Sequence, residues 1–213
     1  MSIFEKLSKN KGTVSSALGK ELAQKVLQDN ETDILTECIG LVTYEISNAE
    51  MKNIRAGAAK VVEIVAEKRP ELVAAYLEDI YPALTVKEAQ TRWMIMRTMG
   101  FCAHLNRVVA EKAIEYAKKY IEEKEGLIIA SSADLFLGDY GALSKEAAAT
   151  VFPILEYSMD TVMKNEQDWL LETLYKMYPN LGEREVVLKF AEEWQHFERK
   201  STQKRAKRIL KLR

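Results

Sequence analysis

The chain has 213 residues, of which 31 are basic, 32 acidic and 47% hydrophobic. That is enough for one large core or for a row of small repeated units, at the apolar share of a globular protein. No window reaches 18 uninterrupted apolar residues, which excludes a membrane-spanning helix, and Lys6, Lys9 and Lys11 are followed by no apolar run, so no secretory leader is expected.

Only 9 Gly and 4 Pro interrupt a chain rich in Ala, Leu, Glu and Lys, residues that lose little rotamer freedom in a helix. The expected class is all-α. Cys38 and Cys102 lie in apolar helical patterns and read as reduced core thiols of a cytoplasmic protein. Between Arg199 and Arg213 stand eight basic residues and no acid, which leaves the rest of the chain nine charges negative. A basic C-terminal helix on an acidic body either meets an acidic partner or phosphates, or packs beside that body.

Apolar spacings of three and four predict helices at 14–29, 32–47, 50–68, 70–84, 87–104, 107–123, 126–141, 144–160, 165–178, 183–197 and 199–212, after a flexible segment 1–13. Pro70 suits a helix start, where its missing N–H costs nothing. Ser144 is placed to N-cap the helix that follows it. Pro82 falls near a helix end, whereas Pro153 falls inside a helical pattern and should kink or shorten it. Asn180-Leu-Gly182, after Pro179, separates two helices.

The helices recur in pairs. Asn53-Ile-Arg-Ala-Gly-Ala-Ala is answered 37 residues later by Gln90-Thr-Arg-Trp-Met-Ile-Met, and then by Leu127-Ile-Ile-Ala-Ser-Ser-Ala. Arg55 and Arg92 share one register, and Ile64, Phe101 and Leu137 another. The pattern resembles HEAT repeats: Ile54-Arg55 with Ala58-Ala59, and Thr91-Arg92 with Met99-Gly100, look like the opening and small residues of such a helix. Leu137-Gly138-Asp139 looks like its close, and Lys204 to Leu210 like a final repeat. The resemblance implies a single domain over 1–213. It would be a right-handed α-α superhelix, a solenoid of about five HEAT-like helix pairs after one N-terminal helix, capped by the basic helix 199–213. Asp168 to Tyr175 departs from the pattern by lacking the Arg opening. Stacking buries the apolar face that one pair cannot bury alone.

No motif for catalysis stands out. His104 and His196 are the two histidines; Cys102 and His104, two apart, point to different faces of a helix. There is no HExxH, CxxC, GxSxG or GxxxxGK[ST], so no cofactor or metal is expected. Ser131 and Ser132 read as close packing against a neighbouring helix. Asp134, in an apolar helix, either faces an inner groove or braces an adjacent turn, and bracing is the favoured reading. Asp139 beside Tyr140 reads as the turn residue at a helix end.

Arg55, Arg92, Trp93, Met96 and Arg97 are the candidate partner-binding residues: a Trp between arginines and methionines makes an adhesive patch if it lines a concave face, and inter-repeat core if it does not. Lys204, Arg205, Lys207, Arg208 and Lys211 are candidates for an acidic partner or phosphate. The expected function is a non-catalytic scaffold that binds another protein or peptide. A more distant similarity is to DNA alkylation repeat glycosylases, which place a catalytic Asp with tryptophans and an Arg in a basic groove. The nearest local match here has Leu127 and Ala130 at the acidic positions, and Trp93 is followed four residues on by Arg97, which leaves nucleic-acid binding to the basic C-terminal helix. A homo-oligomer, with the basic helix of one copy on the acidic body of another, is the third expectation.

Overall fold

A computed structural model of the chain describes residues 2–9, 16–163 and 165–213. They are all-helical, with no strand among them, and the chain divides into two compact units, Met1–Ala113 and Ile114–Arg213.

The first unit contains α1 (Ile3–Ser8), α2 (Ser16–Gln28), α3 (Thr32–Val42), α4 (Lys52–Lys68), α5 (Leu77–Ile80), α6 (Ala89–Cys102) and α7 (Arg107–Lys112). Its centre is α4, which packs against α2 and α6 and also against α3 and α1. Ala56, Gly57, Ala58 and Ala59 are buried there and keep α4 slender enough for neighbours on several sides. A Cβ on Gly57 would come within 2.6 Å of the Leu7 side chain.

Several boundaries differ from expectation for identifiable reasons. The segment expected to be flexible contains α1 at residues 3–8, closed by a capping box: Ser2 Oγ accepts from the Glu5 N–H at 3.1 Å, and the Glu5 carboxylate accepts from the Ser2 N–H at 3.1 Å. Ile3 and Leu7 are buried. The remainder of that segment, 10–13, lies outside the described residues. The helix expected at 70–84 is instead three short 3-10 turns and α5, because Pro70 and Pro82 each open a 3-10 turn, and Pro82 can neither donate a bond nor sit comfortably over the preceding turn. The helix expected at 107–123 parts at Ala113, whose N–H donates to the Ala110 carbonyl at 3.0 Å.

The second unit contains α8 (Ile114–Glu123), α9 (Leu127–Gly141), α10 (Lys145–Asp160), α11 (Gln167–Met177), α12 (Arg184–Trp194) and α13 (Lys200–Leu210). Here α9 is central, in contact with α8, α10 and α11, while α13 rests on α11 and α12. α9 and α11 approach closely at Gly138, where a Cβ would lie 2.9 Å from the Thr173 Cα. Ser144 caps α10 as expected, accepting from the Ala147 N–H at 3.1 Å. Of the two effects expected of Pro153, a kink or a shortening, α10 does not show the shortening and continues to Asp160; Pro153 and Ala149, whose carbonyl the proline leaves without its helical donor, are both exposed. Asp139 lies in the last turn of α9 rather than in the turn beyond it, paired with Lys176 of α11 at 2.6 Å.

Candidate functional site

Arg55 projects from the first turn of α4 and is 1% exposed. Its Nε and Nη2 donate to the two carboxylate oxygens of Glu88 at 2.6 and 3.0 Å, the forked geometry for which guanidinium is suited. Its Nη1 donates to the carbonyls of Tyr44, Glu45 and Asn48 at 3.2, 2.9 and 3.0 Å. This draws the chain away from α3 after Val42, earlier than the periodicity predicts, with Glu45 at φ +41°. Thr91 Oγ1 adds a bond to Glu88 at 3.1 Å. Arg55 is therefore a clasp joining the loop before α4 to the start of α6, and its assignment as a partner-binding residue is corrected: every donor direction it uses is spent inside the protein. An open groove of about 730 Å³ lies over this clasp, between Ile46–Asn53 and Thr85–Gln90.

Met96 is likewise corrected. It is fully buried with Met94 and Met99, so the methionines of α6 are core. What reaches the surface is Arg92, Trp93 and Arg97, all half-buried. Lys60 of α4 lies 5.4 Å from the centre of the Trp93 ring, and the Arg97 guanidinium 4.4 Å from that of Phe101. The α4–α6 face thus alternates cations with half-exposed aromatic rings, which can take an aromatic or acidic side chain of a partner.

The basic C-terminal helix splits by residue type. Thr202, Ala206 and Ile209 are buried. Arg205 Nη1 is 3.4 Å from Asp168, and Arg208 Nη1 is 3.0 Å from Glu172 with its guanidinium 3.9 Å from the centre of the Tyr175 ring. Ser201 and Thr202 also donate to Asp168, at 2.9 and 2.5 Å. The two arginines lock α13 onto α11, whereas Lys204, Lys207 and Lys211 are exposed, together with Lys200.

No family model matches the chain, and no curated protein matches it in sequence. Two crystal structures of engineered proteins from the Northeast Structural Genomics Consortium are similar to it in fold. One has a TM-score of 0.62 at 14% identity, covering 99% of this chain and 96% of its own. The other has a TM-score of 0.65 at 14% identity, covering 99% and 98%. The likeness concerns the fold alone.

The chemistry of the second unit centres on Asp134, which is fully buried on α9. Ser158 Oγ of α10 donates to its Oδ1 at 2.8 Å, while Oδ2 has no partner. Burial, reinforced by the Glu166 carboxylate, pushes Asp134 up to about 8 against the opposing pull of Ser158 and Lys124. Glu166 is itself held above the usual carboxylate range by burial, partly offset by the Met163 N–H at 2.6 Å and by Lys124. Lys124 also donates to the Thr161 carbonyl. The bond to Ser158 crosses to a neighbouring helix rather than bracing an adjacent turn. Among the described residues, no cluster of three or more His, Cys, Asp or Glu could hold a metal ion. Cys38 and Cys102 are free and buried, and burial pushes each thiol up to about 12. Sequence reasoning missed Glu88, Lys60 and Lys200. Glu88 was findable, because an acid at a helix start opposite a repeat-register Arg is a natural partner for it.

Proposed function

We propose that the chain is a non-catalytic HEAT-like scaffold that binds a protein or peptide, with the α4–α6 face around Trp93 as the contact. Two features support the solenoid part of the reading. In each unit one set of helices forms a row, α2–α4–α6 and α9–α11–α13, each touching the next. Side-chain bonds between helix pairs recur at the repeat spacing: Arg55 with Glu88 at 33 positions, Asn106 with the Ala74 carbonyl at 32, Lys112 with Glu78 at 34, Arg208 with Glu172 at 36 and Asn180 with the Ala142 carbonyl at 38. Bonds that reach one repeat away and no further are what nearest-neighbour stacking requires.

The observation that carries the binding part is Trp93, a large ring left half-exposed between Lys60 and Arg97 on a framework fixed by the Arg55–Glu88 clasp. A rigid aromatic anchor bordered by cations has the composition of an interface hot spot. The test is affinity capture from nuclease-treated lysate by the wild-type chain, by Trp93→Ala and by a control at exposed Tyr157 (Tyr157→Ala). The reading expects a protein held by wild type and control and weakened by about 30-fold or more in Trp93→Ala, the loss of a hot spot of ~2 kcal/mol. Equal capture by all three would remove the α4–α6 face from consideration.

A further inference from the structure

We propose that the outer face of α13 binds the phosphodiester backbone of a single-stranded nucleic acid, in a site separate from the α4–α6 face. Lys200, Lys204, Lys207 and Lys211 follow one another at spacings of four, three and four, so they form one stripe along the helix. All four are exposed, and among the described residues no carboxylate pairs with any of them. At 1.5 Å per residue the stripe is about 16 Å long. Over that length one strand of B-form DNA places about five phosphates, and an extended strand fewer.

The surroundings distinguish this stripe from an ordinary solvated face. The arginines beside it share two carboxylates of α11: Arg205 meets Asp168 and Glu172, Arg208 meets Glu172 and Arg199 meets Asp168, so two negative charges offset most of three positive ones. Positive charge is therefore largely offset on the side that faces the protein and left unpaired on the side that faces solvent. An open groove of about 450 Å³ runs along the stripe, lined by the four lysines with Gln203 and Arg208. The Arg208 guanidinium carbon lies 3.9 Å from the centre of the Tyr175 ring and its Nη1 3.0 Å from Glu172, two contacts that hold the guanidinium in place at the groove wall. A guanidinium plane is a platform on which an unpaired base stacks.

These features favour a nucleic-acid strand over an acidic protein. The stripe itself is lysine, with Leu212 the exposed large apolar residue at its end, whereas the core of a protein interface is normally depleted of lysine. Lysines on flexible stems suit the repeated point charges of a phosphate chain. A single strand is favoured over a duplex because the stripe is one lysine wide and the rest of the chain is acidic. The phosphates would lie along Lys200, Lys204, Lys207 and Lys211, with one base against Arg208.

The test is fluorescence anisotropy of a labelled single-stranded oligothymidylate, titrated with the full chain at several salt concentrations. Four phosphate contacts predict a slope of log K against log salt of about −3, from roughly 0.7 per contact on a single strand. Replacing all four lysines by Gln, on an exposed face and with the circular dichroism spectrum checked for folding, should abolish most of that slope and weaken binding at least tenfold. Arg208→Lys keeps the charge and loses the plane; it should weaken oligothymidylate binding and leave the slope unchanged. Oligothymidylate that fails to bind at low salt, or that binds the quadruple variant as well as wild type, would overturn the proposal. So would polyglutamate competing as well as the oligonucleotide at equal charge, which would identify an acidic protein as the partner, or a duplex of equal length binding more tightly than the single strand.

Discussion

Asp134→Asn should make the protein more stable as pH rises, an effect opposite to that of deleting an ordinary paired carboxylate. Asp134 titrates near 3.8 when solvated and at about 8 in its buried position on α9. Between those values the unfolded chain releases this proton and the folded chain keeps it. The raised value therefore contributes stability fully below the unfolded pKa, and that contribution declines with increasing pH until the folded group also ionises near pH 8. At about 1.4 kcal/mol per pH unit, the full interval of about four units corresponds to roughly 6 kcal/mol, an upper bound because local relaxation and water entry reduce it. Asn removes the titration while its oxygen still accepts from Ser158. From about pH 5 to about pH 8 the advantage of the Asn variant over wild type should grow by roughly 2–4 kcal/mol. Urea unfolding followed by circular dichroism at both pH values measures it. An advantage that stays constant across this range would refute the reasoning, because it would mean that Asp134 is already ionised and solvated at the lower pH.

The Arg55–Glu88 clasp makes a second prediction. Glu88→Gln leaves the buried guanidinium without its counter-charge and should cost roughly 3–5 kcal/mol in urea unfolding, whereas Lys112→Gln, which breaks the exposed pair with Glu78, should cost under about 1 kcal/mol. Cys38 and Cys102, buried and raised to about 12, should resist iodoacetamide in the folded protein at neutral pH and react together on unfolding. Rapid modification of either in the native state would show that its helix opens locally.

The all-helical class was legible because breakers are few and apolar residues recur at spacings of three and four almost throughout. The role of Arg55 was not legible, because a residue's register says nothing about what occupies the space opposite. Its partner, Glu88, lies 33 positions away at the start of the next helix of the row. Two departures were present as local signals outweighed by the apolar pattern. Ser2 and Glu5 have capping-box spacing in a segment too short to show periodicity, and Pro82 divides a stretch whose apolar residues still fit a helix. Asp134 was conspicuous among apolar neighbours, but its environment comes from Ser158, Glu166 and Lys124, which converge only in three dimensions.

The C-terminal helix shows most directly what a count of charges conceals. Read as a basic run, Lys204, Arg205, Lys207, Arg208 and Lys211 are equivalent. In the structure the arginines point to Asp168 and Glu172 and the lysines point to solvent. The division follows from the groups themselves. A guanidinium is planar and weakly hydrated, so it can satisfy carboxylates and an aromatic face while half-buried, as Arg208 does with Glu172 and Tyr175. An ammonium is compact and strongly hydrated, and it stays in water on its flexible stem. The same rule accounts for Arg55, buried beneath its groove with both oxygens of Glu88. On α13, Arg205 and Arg208 join the helix to α11, and the outward charge is carried by Lys200, Lys204, Lys207 and Lys211. Charge removal at Lys204 and Lys207 should therefore alter binding with little change in unfolding midpoint, and removal at Arg205 should lower the midpoint first.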